Sequence, residues 1–522
     1  MSLPPLIRAL LRPEIYDHPC ESIHLRETHI SWIVLTGPYA YKIKKPVDFG
    51  FLDFSTLEKR RFYCQEELRL NRRLAPQLYL QVVAIAGSPQ SPRLHGPGPV
   101  VEYAVKMRQF DENDLLAALA ERGRLGEAHL LPLAHRIARF HRQATQAETD
   151  GPYGDPAAIQ QAALENFAQI DTARLDRSLR TMVAELETWT RDGFARLESV
   201  MIERKQGGWI RECHGDLHLG NIVWWQGQPL PFDCIEFNPS LRWIDVISEV
   251  AFTVMDLAAW GCRPLGFCFL NEYLSDTGDY PGVRLLRYYL VYRAMVRSKI
   301  AWLSATQQEE SEASLERLRR YLHLARDLSR PQRPALYITH GFSGSGKSYA
   351  CRRLAAHLPA LHLRSDVERK RLAGLPPNAV TRSRPAGSIY GADFTERTYA
   401  KLLEEARTIV TAGFAVIVDA TFLSQRFRDR FRRLADELNV PFRILDFQAD
   451  EPVLRQRITA RQRRRDDPSE ADLDVLAYQR RHHDPLDDQE RQAAVTFDTS
   501  RGFELETALP RLLQGLNSRG SS

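Results

Sequence analysis

Gly341-Phe342-Ser343-Gly344-Ser345-Gly346-Lys347-Ser348 is the stretch from which the rest of the chain can be read. It satisfies G-x-x-x-x-G-K-[ST] in full. Glycines at this spacing let backbone N–H groups turn inward around an anion. The run Ala335–Thr339 before it reads as a strand and Ser348–His357 after it as a helix. The helix N-terminus then aims its partial positive charge at the same point. Gly341, Ser343, Gly344, Ser345 and Gly346 are therefore expected to cradle the phosphates of ATP. Lys347 is expected to reach the terminal phosphates, and the Ser348 hydroxyl to ligate magnesium.

Downstream, Val416-Ile417-Val418-Asp419 is an apolar strand ending in a carboxylate, which places Asp419 beside the metal. Leu361-His362-Leu363-Arg364-Ser365-Asp366 is another strand with an acidic end. Asp366 suits both a helix cap for Val367–Leu372 and a base facing a hydroxyl. Arg457 and Arg461 stand one helical turn apart, ahead of Arg463, Arg464 and Arg465. At these residues the chain resembles the P-loop kinases of small molecules and polynucleotides, AAA-type and zeta-toxin-like proteins among them. The resemblance implies Asp366 as general base, with Arg369 completing D-x-x-R. It also implies Arg457 and Arg461 as a lid over the transferring phosphoryl group.

Upstream, Pro331 and Pro334 bracket a polar connector after an amphipathic helix at Glu309–Leu328. A boundary is expected there, with one domain over 1–330 and a second over 331–522. The second strong motif lies in the first domain: His214-Gly215-Asp216-Leu217-His218-Leu219-Gly220-Asn221. It shares H-x-D, four residues and Asn with the catalytic loop of protein kinases. The string H-G-D-x-H-x-x-N resembles the aminoglycoside and choline phosphotransferases. That resemblance implies Asp216 as the residue that orients or deprotonates an acceptor hydroxyl, and Asn221 as a magnesium ligand.

Pro231-Phe232-Asp233-Cys234-Ile235-Glu236 follows, and Asp233 stands where such enzymes keep the second metal carboxylate. Glu236 fits a supporting role or a salt bridge equally. Asp245 matches an Asp that braces the loop and is read as structural. A phosphate lysine and its glutamate are needed from the β-rich stretch Ile30–Met107. Ala40-Tyr41-Lys42 fits A-x-K, yet Lys44 shares its strand face, so spacing leaves Lys42 and Lys44 unseparated. The resemblance favours Lys42. The helix Thr56–Leu74 offers Glu66 and Glu67, of which Glu67 is preferred. No G-x-G-x-x-G loop precedes Lys42; Leu35-Thr36-Gly37-Pro38-Tyr39 stands there instead. The stretch Met107–Phe110 is the expected hinge.

The expected fold class is thus an α+β bilobal kinase-like domain with an α/β P-loop NTPase domain after it. The small lobe would span about 1–107 and the helical lobe about 108–330; the second domain would carry a parallel sheet. The whole arrangement resembles bacterial bifunctional aminoglycoside phosphotransferase-like, P-loop ATP-binding proteins.

Bulk properties agree with this and narrow it. The 522 residues suggest two to four domains. The 71 basic residues exceed the 66 acidic by only five, too few to argue for nucleic acid alone. Seven scattered cysteines without a C-x-x-C pair speak against a disulfide framework or zinc site and for a reducing, cytoplasmic setting. No run of about 18 apolar residues suggests a membrane span.

The expected cofactors are ATP and Mg2+, and the expected partner is a small-molecule hydroxyl acceptor. A nucleic-acid end is a weaker candidate, since no aromatic series accompanies the arginines. The alternative readings are a nucleotide-gated regulatory module, in which one domain controls the other, and a 5′-kinase of polynucleotide type at the C-terminal domain. Acceptor identity and oligomeric state are not readable from the chain.

Overall fold

The computed structural model describes the chain apart from residues 1–2, 51, 308–310, 331, 333, 378, 380–388, 390, 465–467 and 518–522. Pro331 of the expected connector, Glu309 of the helix before it, Arg465 of the expected lid and the tail from 518 lie outside the described residues. The chain packs as two compact units. One joins Met1–Ile159 with Met201–Asp256, and the other joins Gln160–Val200 with Leu257–Ser522.

The first unit is built on β1 (His24–Glu27), β2 (Ser31–Leu35), β3 (Tyr39–Lys44), β4 (Tyr79–Ser88), β5 (Ser91–Leu94) and β6 (Val100–Arg108). They form one antiparallel sheet in the order β1-β2-β3-β6-β4-β5. Successive residues of a strand face opposite sides, which sorts the residues of β3. Tyr41 and Ile43 pack with Val34, Val83, Ile85 and Ala104, against Ile7 and Leu10. Ala40 joins the other face with Cys64, Leu78, Tyr79, Val105 and Met107. Lys42 and Lys44 point to that second face, where the helix Leu57–Asn71 lies. Thr56 caps this helix by accepting from the Lys59 N–H at 3.3 Å.

The segment 210–245 carries short strands: β7 (Ile210–Glu212), β8 (Ile222–Trp225), β9 (Gln228–Pro231) and β10 (Trp243–Asp245). β7 pairs with β10, and β8 with β9, both antiparallel. Strands of three and four residues such as these leave no periodic signal in the sequence.

The second unit holds β11 (Leu336–His340), β12 (Ala360–Arg364), β13 (Ala415–Asp419), β14 (Phe442–Gln448) and β15 (Ala494–Asp498). They form a parallel sheet in the order β12-β13-β11-β14-β15. Strands of such a sheet are covered on both faces and so read as unbroken apolar runs, as Val416–Val418 does. Tyr337, Leu354, Ile417, Leu445 and Phe447 form the core with Leu512. The strand order reverses at β11, and ligands of open α/β sheets bind outside the carboxyl ends at that point. The glycine-rich loop sits there.

The helices Arg263–Thr277, Val283–Gln307 and Ser311–Ser329 belong to this same unit, so packing does not divide the chain at 330. Asn271 shows how. Its amide donates to the Ala360 carbonyl at 3.1 Å and its carbonyl accepts from the His362 N–H at 2.8 Å. The side chain thereby satisfies the edge strand β12 in the manner of a neighbouring strand. The expected fold class, a kinase-like domain followed by a P-loop domain with a parallel sheet, is the one observed. No helix among the described residues is long and apolar enough to cross a membrane.

Candidate active sites

In the first unit, Lys42 Nζ lies 2.8 Å from Glu67 Oε1 and 2.5 Å from Asp233 Oδ1. Lys44 Nζ donates to Glu67 Oε2 at 2.7 Å and also to Glu236. Both lysines therefore share Glu67, which is fully buried. Burial alone would push the Lys42 ammonium down, but Asp233, Glu67 and Glu236 hold it well above its usual value. Burial would raise Glu67; the two lysines more than offset this and hold it down to about 2. Glu66, the alternative on the same helix, instead meets Arg69 at 2.8 Å on the surface. Lys44 is 1% exposed and its ammonium also sits 4.8 Å from the Phe54 ring. Lys42 touches Asp233, whose side chain is 45% exposed. Of the two lysines, Lys42 thus lies beside the partly exposed carboxylate.

The loop after β7 is held from behind. Gly215 has φ +90°, and a Cβ there would lie 2.8 Å from the Leu241 carbonyl. Glu249 accepts from the His214 N–H at 2.8 Å, the Gly215 N–H at 2.7 Å and His141 Nε2 at 3.0 Å. Burial would raise the Glu249 carboxyl, but these donors bring it to about 2. His141, Cys213 and Glu249 have the proximity of a metal site. Glu249 already accepts from two backbone amides and His141, and so braces the loop. His214, buried and pushed down by that burial, meets the Phe232 carbonyl at 2.8 Å.

On the front, Asn221 Nδ2 donates to Asp216 Oδ2 at 2.9 Å, and His218 Nε2 lies 3.4 Å from the same oxygen. Asp233 adopts φ +62°, and its N–H donates to the Tyr79 hydroxyl at 3.0 Å. A non-glycine residue in this region stores strain that the surroundings must hold. Asp245 accepts from Arg204 at 2.6 and 2.9 Å. At the expected hinge, Gln109 ties to the turn before β3: its carbonyl accepts from Gly37 N–H at 3.0 Å.

In the second unit, Gly341 has φ +138°, and a Cβ would lie 2.3 Å from the Phe447 carbonyl. At Gly344, φ +85°, a Cβ would lie 2.9 Å from the Leu454 carbonyl. Only glycine lets the loop lie this close to its neighbours. Lys347 Nζ donates to the carbonyls of Gly341 at 2.8 Å and Phe342 at 2.7 Å. Burial pushes Lys347 down to about 8, against the pull of Asp419 and Asp366.

Asp419 is buried, accepts from Ser348, and lies 3.2 Å from His362 Nε2 and 3.9 Å from Arg364 Nε. Burial would raise Asp419, yet these partners bring it down to about 2. A loop with glycine-only approaches and a charged, buried carboxylate beside the Ser348 hydroxyl fit a magnesium-bound triphosphate. Asp366 lies in the first turn of the helix Ser365–Leu372. Arg369 donates to the Ile389 carbonyl at 2.7 Å and to Thr395 at 3.2 Å. Arg457 reaches the Gly344 carbonyl at 3.4 Å and the Thr499 carbonyl at 2.6 Å. Arg461 donates to the Ala471 carbonyl at 2.8 Å. Both arginines expected to form a lid are thus bonded to protein carbonyls in this arrangement.

Sequence reasoning missed Glu249, His141, His362 and Gln479. Each meets the loops through a contact far apart in the chain, and no local motif marks it.

The chain combines a kinase-like architecture in one part with a P-loop domain in the other. Residues 336–486 match the AAA_33 family, an AAA domain. The chain belongs to the same family as the uncharacterized protein Rv2004c of Mycobacterium tuberculosis. The two are 30% identical over 442 residues, covering 84% of this chain and 86% of the relative. Among solved structures, a choline/ethanolamine kinase family protein from Mesorhizobium loti is 9% identical, with a TM-score of 0.38. It covers 62% of this chain and 92% of its own. A gluconokinase from Sinorhizobium meliloti is 20% identical, with a TM-score of 0.26. It covers 36% of this chain and 94% of its own.

Proposed function

We propose that both sites bind Mg-ATP and that at least one moves the γ-phosphoryl group to a hydroxyl acceptor, most simply a small molecule. The observation that carries this is the meeting of Lys42, Glu67 and Asp233 in the unit where Asn221 holds Asp216. A phosphate lysine, a metal carboxylate and an acceptor-side carboxylate are the parts a kinase requires.

Asn221 and Asp233 would hold the metal at the first site, and Ser348 and Asp419 at the second. Magnesium, when bound, neutralises phosphate charge and so supports the departure of the diphosphate. Asp216 orients the acceptor hydroxyl and takes its proton, with Asn221 and His218 holding the carboxylate in place. Lys42 turns from Asp233 to the phosphates, while Glu67 keeps its ammonium in line. Asp366 plays the acceptor-side part at the second site. Arg457 and Arg461 would close on the transferring group only after leaving their present carbonyls. Domain limits of 1–330 and 331–522 fit the motif sets, and seven free cysteines favour a cytoplasmic place.

The test is transfer from γ-labelled ATP to a panel of sugars, aminoglycosides, nucleosides and 5′-hydroxyl oligonucleotides. Asp216→Asn and Asp366→Asn should each remove one activity, by about 10²- to 10⁴-fold, while ATP binding persists. Unchanged turnover in both variants would end the proposal.

A further inference from the structure

Gln479 has no part in the reading above, yet it bonds directly to the phosphate loop. The Ser343 N–H donates to Gln479 Oε1 at 3.0 Å, and Gln479 Nε2 donates to Ser343 Oγ at 3.0 Å. The two bonds close a ring between the loop and the helix Leu473–Arg481. That helix is seated firmly. Leu476 packs with Leu454 and Ile458, and Phe342 of the loop packs against the same cluster. The Phe342 ring also meets His483 edge-on at 5.1 Å. Beyond the helix, the Asp484 N–H donates to the Leu423 carbonyl at 2.8 Å, just after β13.

Backbone amides of a glycine-rich phosphate loop serve as donors for phosphate oxygen, and here the Gln479 side-chain carbonyl oxygen accepts from that of Ser343. The location is informative. Lys347, the group that serves the terminal phosphates, rests on the carbonyls of Gly341 and Phe342, the residues immediately before Ser343. The Ser343 end of the loop is therefore the terminal-phosphate end.

We propose that Gln479 is a specificity-determining residue of the P-loop site, which stands in for a γ-phosphate oxygen on Ser343 and is displaced by ATP but not by ADP. This rests on the P-loop reading. A diphosphate leaves the Ser343–Gln479 ring closed and the helix 473–481 seated. A triphosphate must break two neutral hydrogen bonds to occupy the same amide, so part of its affinity is spent on releasing that helix. The P-loop unit would thus report which nucleotide it holds.

The experiment uses the full chain with the first site silenced by Asp233→Ala, and titrates Mg-AMP-PNP and Mg-ADP by calorimetry. Gln479→Ala should tighten AMP-PNP about 5-fold or more, roughly the worth of one net hydrogen bond, and leave ADP unchanged. Hydrogen exchange in 473–481 should rise with AMP-PNP and not with ADP. Equal tightening of both nucleotides, weaker AMP-PNP binding, or no change in either would overturn the proposal. Gln479→Leu, which keeps the side-chain bulk, serves as a second variant should the alanine form fold poorly, with the same outcomes. Lys347→Ala separates the premises. If it binds nucleotide as the Asp233→Ala chain does, the P-loop reading itself fails. If it loses binding while Gln479→Ala changes nothing, only the present inference fails.

Discussion

Two lysines two residues apart on β3 do different work, and burial separates them. Lys44 is enclosed by Glu67, Glu236 and the Phe54 ring, whereas Lys42 reaches the half-exposed Asp233. Removing Lys44 strands buried carboxylates, a loss of about 3–5 kcal/mol in comparable cases. Lys44→Met should therefore lower the unfolding midpoint sharply. Lys42→Met leaves Lys44 to neutralise Glu67. It should cost far less stability but abolish transfer at the first site. Denaturant unfolding and γ-phosphate transfer, measured on both variants, check the division. Equal stability loss in both would refute it.

Among the elements, the helix Ala392–Thr411 carries a strongly perturbed acid. Glu405 is 3% exposed and its carboxyl is pushed up to about 8, first by burial and then by the neighbouring Glu368. Its Oε2 finds no hydrogen-bond partner. Lys401 at 3.5 Å offsets only part of this. A raised carboxyl favours the fold fully below the ordinary carboxylate pKa. That contribution is lost as pH rises through about 8. Stability of the second unit should then fall between about pH 5 and 8 by a few kcal/mol at most. Glu405→Gln, which mimics the protonated form, should flatten this dependence. Thermal unfolding across that pH range is the measurement, and parallel curves for both proteins would contradict the assignment.

At the scale of the whole chain, the helices before residue 330 are structural parts of the P-loop unit. Asn271 satisfies the β12 edge, Arg287 NH2 donates to the Gly413 carbonyl at 2.8 Å, and Arg371 NH2 to the Ser275 carbonyl at 2.5 Å. A fragment of residues 331–522 would expose the amides and carbonyls of β12, a template for aggregation. Expressed alone, it should be less soluble and unfold at a lower temperature than the same unit in the full chain, followed by circular dichroism. A fragment as stable as the intact protein would show that these contacts contribute little.

The sequence by itself determined the two motif stretches, the strands β11, β12 and β13 of the parallel sheet, and the placing of Asp216 and Asn221 on one loop. Each depends on residues close in the chain, whose spacing and polarity follow from one loop or one strand. Only the tertiary structure decided which lysine meets Asp233, which buried groups hold the loops, and where the packing units divide. Those outcomes hang on side chains such as Glu67, Glu249, Asn271 and Gln479, which meet their partners across long separations. Burial and a shared counter-charge are properties of the folded neighbourhood, and no local periodicity encodes them.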